Sequence, residues 1–156
     1  MSYRALTLAA LAAFAVDQGS KLLVVHGLDL KTRLALDVLP PVLNFRMGWN
    51  RGINFGLLAQ DSGTSRWMLI ALALVVCGAV LFWTRSEKDV KVHLSAGILV
   101  GGALANVLDR LVYGAVADFL NMSCCGISNP FTFNLADVFV FAGALGLVLW
   151  AGKHKQ

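Results

Sequence analysis

The chain has 156 residues, of which 58% are hydrophobic and only 14% charged, against roughly 45–50% apolar and 25% charged in soluble domains. Nine carboxylates, with Glu87 the only glutamate, are too few to cover the surface of a water-soluble globule of this size. A disordered chain, a coiled coil and a free nucleic-acid-binding domain are excluded with it, and the net charge of +4 comes from basic residues scattered between apolar runs, as anionic lipid headgroups would favour.

Four stretches approach the ~20 apolar residues that a membrane-spanning helix needs. The first, residues 5–25, follows Arg4 like the start of a secretory signal peptide. Asp17, Gln18 and Lys21 stand where a small-residue cleavage site would be, so the stretch is read as a retained helix. Residues 26–66 form a connection too long for a simple turn. In it Leu43, Phe45, Met47 and Trp49 alternate with Asn44, Arg46, Gly48 and Asn50, and Ile53, Phe55 and Leu57 continue the alternation. Period two predicts strands, in a small sheet lying on the membrane surface with its apolar face toward lipid or the helices. Residues 67–83 are the cleanest span, with Trp67 and Trp83 at the interfacial positions. The third and fourth spans are residues 92–113 and 135–150. The expected architecture is a single domain over residues 1–156, an all-α membrane protein built as a four-transmembrane-helix bundle with a small extracytoplasmic β-sheet.

Four spans place both termini and the 84–91 turn on one side. That side carries Arg4, Arg85, Lys88, Lys91, Lys153 and Lys155, and the other carries Lys31, Arg33, Arg46, Arg51, Arg66 and Arg110. The totals tie, and the higher density close to the helix ends selects cytoplasmic termini. Cys77, inside an apolar run, and the adjacent Cys124 and Cys125 make no disulfide framework. His26, His93 and His154 follow no metal-ligand spacing, so no metal and no cofactor is expected.

At ~1.5 Å rise per residue Asp17 lies toward the outer end of the first span. Asn106, Asp109 and Arg110 lie near the outer end of the third, Asp118 follows that helix and Asp137 opens the next. Asp17, Lys21, Asn50, Asn106, Asp109, Arg110, Asp118, Asn134 and Asp137 thus converge at one depth. Each has a structural reading beside a functional one. Asp17 and Lys21 are an i,i+4 ion pair in the favourable order. Asp109 and Arg110, adjacent and so facing apart, each need a partner on another segment. Gly97, Gly101 and Ala105 recur every four residues, as in close helix packing. Asn134 caps the fourth helix if Asp137 is its third residue.

Asp118 and Asp137 are harder to explain by structure alone, because carboxylates in a lipid environment are costly and mark function by default. Two that share a site hold one proton between them; one can then deprotonate water while the other donates to a carbonyl. Two alternatives stand beside this aspartic-peptidase chemistry. A Ser20–Lys21 hydrolase dyad suffers from neighbours that point about 100° apart on a helix. A proton-coupled transporter using the Asp/Lys cluster as a relay needs polar residues along a whole path, and residues 68–82 supply none beyond Cys77.

Five ordered motifs carry a resemblance: Asp17-Gln18-Gly19-Ser20-Lys21; Asn50 through Gly56; Gly101-Gly102-Ala103-Leu104-Ala105-Asn106-Val107-Leu108-Asp109-Arg110; Gly114 through Phe119; and Phe133-Asn134-Leu135-Ala136-Asp137. Over residues 17–140 the chain resembles bacterial lipoprotein signal peptidase, also called signal peptidase II. The resemblance implies an aspartic endopeptidase, multi-pass in the bacterial cytoplasmic (inner) membrane, with its active site near the periplasmic face. It implies cleavage of prolipoproteins before a diacylglyceryl-modified cysteine, contact with membrane lipid, and inhibition by globomycin-type peptides. Asp118 and Asp137 match the catalytic dyad; Asp17, Lys21, Asn50, Gly102, Asn106, Asp109, Arg110 and Asn134 match supporting or substrate-binding residues, and the sheet matches a periplasmic substrate cradle. Ala105 departs from a usual glycine and Asn54 from a common alanine, which bears on local geometry and cradle shape.

Overall fold

The computed structural model describes residues 2–52, 63–124, 126 and 129–150. In chain order these form α1 (Ser2–Lys21), a π-helical turn (Leu22–Gly27), a short α2 (Leu30–Arg33), β1 (Ala35–Leu39), β2 (Leu43–Asn50), α3 (Gly63–Thr84), α4 (Val90–Tyr113), β3 (Val116–Asn121) and α5 (Leu135–Trp150). Ile53, Asn54, Phe55 and Leu57, where the strand alternation was expected to continue, lie outside the described residues, as do Cys125, Lys153, His154 and Lys155.

All four apolar stretches are helical. Three helices, Tyr3–Gly27, Gly63–Thr84 and Val90–Tyr113, are long and apolar enough to cross a membrane. The fourth, α5, has 16 residues, or ~24 Å at ~1.5 Å per residue, against a hydrocarbon core of ~30 Å. Its start is fixed at Leu135 by the Asn134 cap, and the described residues end at Trp150. Leu8, Leu11, Leu72, Val75, Phe141 and Val148 are all more than half exposed. Such apolar outer faces suit lipid and not water.

The central helix is α4, packed on α1, α3 and α5. Leu6, Cys77, Val92, Ala96, Leu99, Val100 and Leu147 form its core at one end. The four-residue repeat of small residues lets backbones meet: a Cβ on Gly97 would strike the Leu6 carbonyl and one on Gly101 the Ala10 carbonyl, both on α1. Asp89 caps the start of α4 by accepting the Lys91 N–H at 2.8 Å. Gly114 ends it with φ +77°, a left-handed conformation that a side chain disfavours, its N–H returning to Arg110 O at 3.1 Å. That reversal turns the chain directly into β3.

The sheet is antiparallel, in the order β1-β2-β3. The alternation in residues 43–50 is β2 as expected, while β3 comes from a segment read in the sequence only as the connection that follows the third helix. Asp118 pairs opposite Gly48, and Ala117 opposite Trp49. Leu36, Phe45 and Met47 turn their apolar faces onto Val24, Val25, Leu30, Ala117 and Phe119. The Phe45 and Phe119 rings meet edge to face at 5.7 Å. The sheet is therefore fastened to the end of the helices, and this brings β3 against α4 and the π-helical turn, with Asp118 bonded to Asn134 at the start of α5.

Candidate active site

Asp118, 2% exposed, sits in the middle of β3, and Asp137, half-buried, in the first turn of α5. Asn106 and Asn134 link them, and Asn50 bonds Asp118 from the sheet. Asn50, the last residue of β2, donates from Nδ2 to Asp118 Oδ2 at 3.1 Å, and Asn134 donates to Asp118 Oδ1 at 2.7 Å. Asn106 on α4 donates to Asp137 Oδ1 at 3.0 Å and accepts from Asn134 Nδ2 at 3.1 Å. Burial first, and the charge of Asp137 second, push the Asp118 carboxyl up to about 7, while the bonds from Asn50 and Asn134 and the charge of Lys21 pull it down. An acid in that range is poised to exchange a proton near neutrality.

Behind this pair lies a second polar layer. Lys21 Nζ is 2.7 Å from Asp17 Oδ2 and 2.7 Å from Asp109 Oδ2, all three groups buried. The expected i,i+4 pair therefore exists, and it is one half of a triad. Asp109 finds partners on other segments as expected: Lys21 and Gln18 on α1, and the N–H of Ala117 on β3. Arg110 instead bonds the Asn106 carbonyl of its own helix at 3.3 Å, within electrostatic range of Asp118 and Asp137. Gly102 is a packing position: a Cβ there would lie 2.6 Å from the Ala136 carbonyl oxygen, so its absence lets α5 approach α4 one residue before Asp137.

All the singled-out polar residues are thus gathered at one end of the helices. Gln18 is the residue that sequence reasoning passed over; its Nε2 reaches Asp109 Oδ1 at 2.9 Å and the carbonyl of Ala105 at 3.3 Å. Its only signal is its place inside the Asp17–Lys21 motif. Ser20 does not face Lys21 as a nucleophile would; its hydroxyl donates to the Asp17 carbonyl at 2.7 Å. From Asp137 an apolar groove of about 650 Å³ runs along the exposed face of α5, lined by Phe133, Val138, Phe141, Ala142 and Leu145.

Residues 9–152 match the family model for Signal peptidase (SPase) II. The chain is 38% identical to a lipoprotein signal peptidase of Methylorubrum extorquens (strain PA1), over 95% of this chain and 85% of the relative. It is 39% identical to one of Aeromonas hydrophila subsp. hydrophila, over 90% of this chain and 83% of the relative. Two solved structures, described as bacterial membrane enzymes obtained by the in meso method, superpose with TM-scores of 0.77 and 0.73 at 22% identity, covering 95% and 96% of this chain and 92% of each of theirs. The match runs from within α1 to beyond α5, through every residue of the buried polar cluster, and by it the chain belongs to the signal peptidase II family.

Proposed function

We propose that the chain is an aspartic endopeptidase that removes the signal peptide from diacylglyceryl-modified prolipoproteins, cutting before the lipidated cysteine. The observation that carries this reading is the pair Asp118 and Asp137, linked through Asn106 and Asn134 and with Asn50 bonded to Asp118, beside an apolar groove on the exposed face of α5. Asp137 deprotonates a water, whose oxygen attacks the scissile carbonyl carbon. Asp118 gives its proton to the carbonyl oxygen. Collapse of the resulting diol breaks the C–N bond, with a proton passing to the leaving nitrogen. The flanking asparagines hold both carboxyl groups in place without adding charge.

In this reading the apolar groove receives the hydrophobic part of the substrate, and the sheet is the extracytoplasmic cradle. The whole chain is one domain of a four-span protein of the bacterial inner membrane, with cytoplasmic termini and the dyad near the periplasmic face. Globomycin-type peptides would compete for the same place. A proton relay finds less support, because the cluster closes on itself at one end of α1 and α4 and α3 offers only Cys77 between its tryptophans. The test is to incubate the purified protein in lipid with a diacylglyceryl-modified prolipoprotein and look for the shorter product. Wild type should yield it and Asp118→Asn should not; equal turnover by both overturns the reading.

A further inference from the structure

Each aspartate of the pair follows an alanine whose backbone N–H is buried and held by a different carboxylate. Ala117 is 2% and Ala136 0% exposed, so these donors are shielded from solvent and need a partner inside the protein. Ala117 N–H donates to Asp109 Oδ2 at 3.2 Å, and Ala136 N–H to Asp17 Oδ1 at 2.8 Å. The two acceptors are joined by one ammonium, Lys21 Nζ, 2.7 Å from each. The third neighbour of Nζ is Asn106 Oδ1 at 3.3 Å, and Asn106 itself donates to Asp137. An ammonium carries three protons, so each has an acceptor in this cluster. Gln18 occupies the remaining oxygen of Asp109.

We propose that Asp17, Lys21 and Asp109 form a clamp that sets the spacing of Asp118 and Asp137 through the backbone N–H groups of Ala117 and Ala136. This rests on the two-aspartate reading above and assigns the triad a positioning role within it. A buried ion triad is by itself weak ground for stability, since desolvation offsets its attraction, and fixing one arrangement is its best-attested use. The chain topology agrees. β3 packs on α4 and on the π-helical turn that follows α1, α5 packs on α1 and α4, and Lys21 is where their two anchors meet. The π-helical turn begins at the next residue, Leu22, so α1 keeps its α-helical form as far as the ammonium.

The test is steady-state cleavage in lipid, with kcat counted per folded molecule. Asp17→Asn keeps an oxygen for the Ala136 N–H and leaves Lys21 paired with Asp109, so no buried charge is stranded. It should lower kcat by about 10- to 100-fold, the cost of a sub-ångström to one-ångström misplacement, with KM within about twofold of wild type. Its high-pH limb should move to lower pH, because wider spacing weakens the repulsion that retains the shared proton. Lys21→Arg keeps the charge but replaces three tetrahedral donors by a planar fork, and should lose kcat on the same scale. Wild-type kcat with an unmoved limb in Asp17→Asn, any loss being confined to yield or thermal stability, overturns the clamp. So does full activity of Lys21→Arg, which would show that charge alone suffices. If Lys21→Arg does not fold, Asp17→Asn decides alone. Equal cleavage by wild type and Asp118→Asn would instead bring down the two-aspartate reading itself, and the clamp with it.

Discussion

Asn134 and Asp137 bond each other twice across the first turn of α5: Asn134 Oδ1 accepts the Asp137 N–H at 2.9 Å, and Asp137 Oδ2 accepts the Asn134 N–H at 3.2 Å. This reciprocal cap satisfies donors that a helix start otherwise leaves open. The cap's own amide nitrogen remains, and it donates to Asp118. One side chain therefore both caps α5 and bonds Asp118, through different atoms.

Substitution can separate the two roles. Asn134→Ala removes the cap and should cost about 0.5–2 kcal/mol of stability, along with most activity. Asn134→Ser restores a capping oxygen but is too short to donate to Asp118. Thermal unfolding in lipid should recover in the serine variant while cleavage stays low; joint recovery of both would show that the bond to Asp118 does not matter for turnover.

Replacing either carboxyl by an amide keeps its shape and removes its proton chemistry. Asp118→Asn and Asp137→Asn should each abolish cleavage while leaving insertion and folding intact. Ser20→Ala should retain substantial activity, since its hydroxyl is spent on a carbonyl of its own helix. Product formation by each purified variant checks all three, and near wild-type turnover by either asparagine variant counts against the dyad.

The helices and the polar cluster were legible in the sequence because hydropathy marks lipid-facing helices and carboxylates stand out against it. β2 was legible because apolar and polar residues alternate along it, with Phe45 and Met47 packing against the buried cluster beneath the sheet. β3 was not: Val116, Ala117, Asp118 and Phe119 are all buried, and a strand covered on both sides shows no alternation to mark it within the connection after α4. The cap at Asn134 could be read from local spacing. The Asp17 bond to Ala136 could not, because it joins residues 119 apart and ends on a backbone N–H that carries no residue signature.

Gly102 tests how tightly α5 must seat. A Cβ would lie 2.6 Å from the Ala136 carbonyl and 3.0 Å from the Phe139 Cβ, and neither can yield without moving α5. Gly102→Val should destabilise by about 1–3 kcal/mol, as overpacking does, and lower kcat further by displacing Asp137. Gly19→Ala, with open space around its Cβ, is the control. Equal thermal stability and activity of the two variants would show that α5 has slack.

The location of the shared proton follows from the two environments. Asp137 occupies the third position of α5, where the helix dipole favours a negative charge by roughly 0.3–1 kcal/mol, and it accepts bonds from Asn106 and the Asn134 N–H. Asp118 lies on a strand without that help, and burial and the Asp137 charge raise it from 3.8 to about 7. Asp118 should hold the proton in the resting enzyme and Asp137 the charge. The sign for stability follows by linkage: a carboxyl raised in the folded state binds its proton more tightly there than in the unfolded chain. Its contribution is fully present below about pH 4 and is lost as pH rises to about 7. Cleavage should fall over the upper part of that range, as the proton needed by the scissile carbonyl oxygen is lost. Site-resolved infrared or NMR titration of the unliganded protein in lipid should show the protonated Asp118 carboxyl disappearing with a midpoint near 7. A proton found mainly on Asp137 would reverse the roles of base and acid while leaving the two-aspartate chemistry in place.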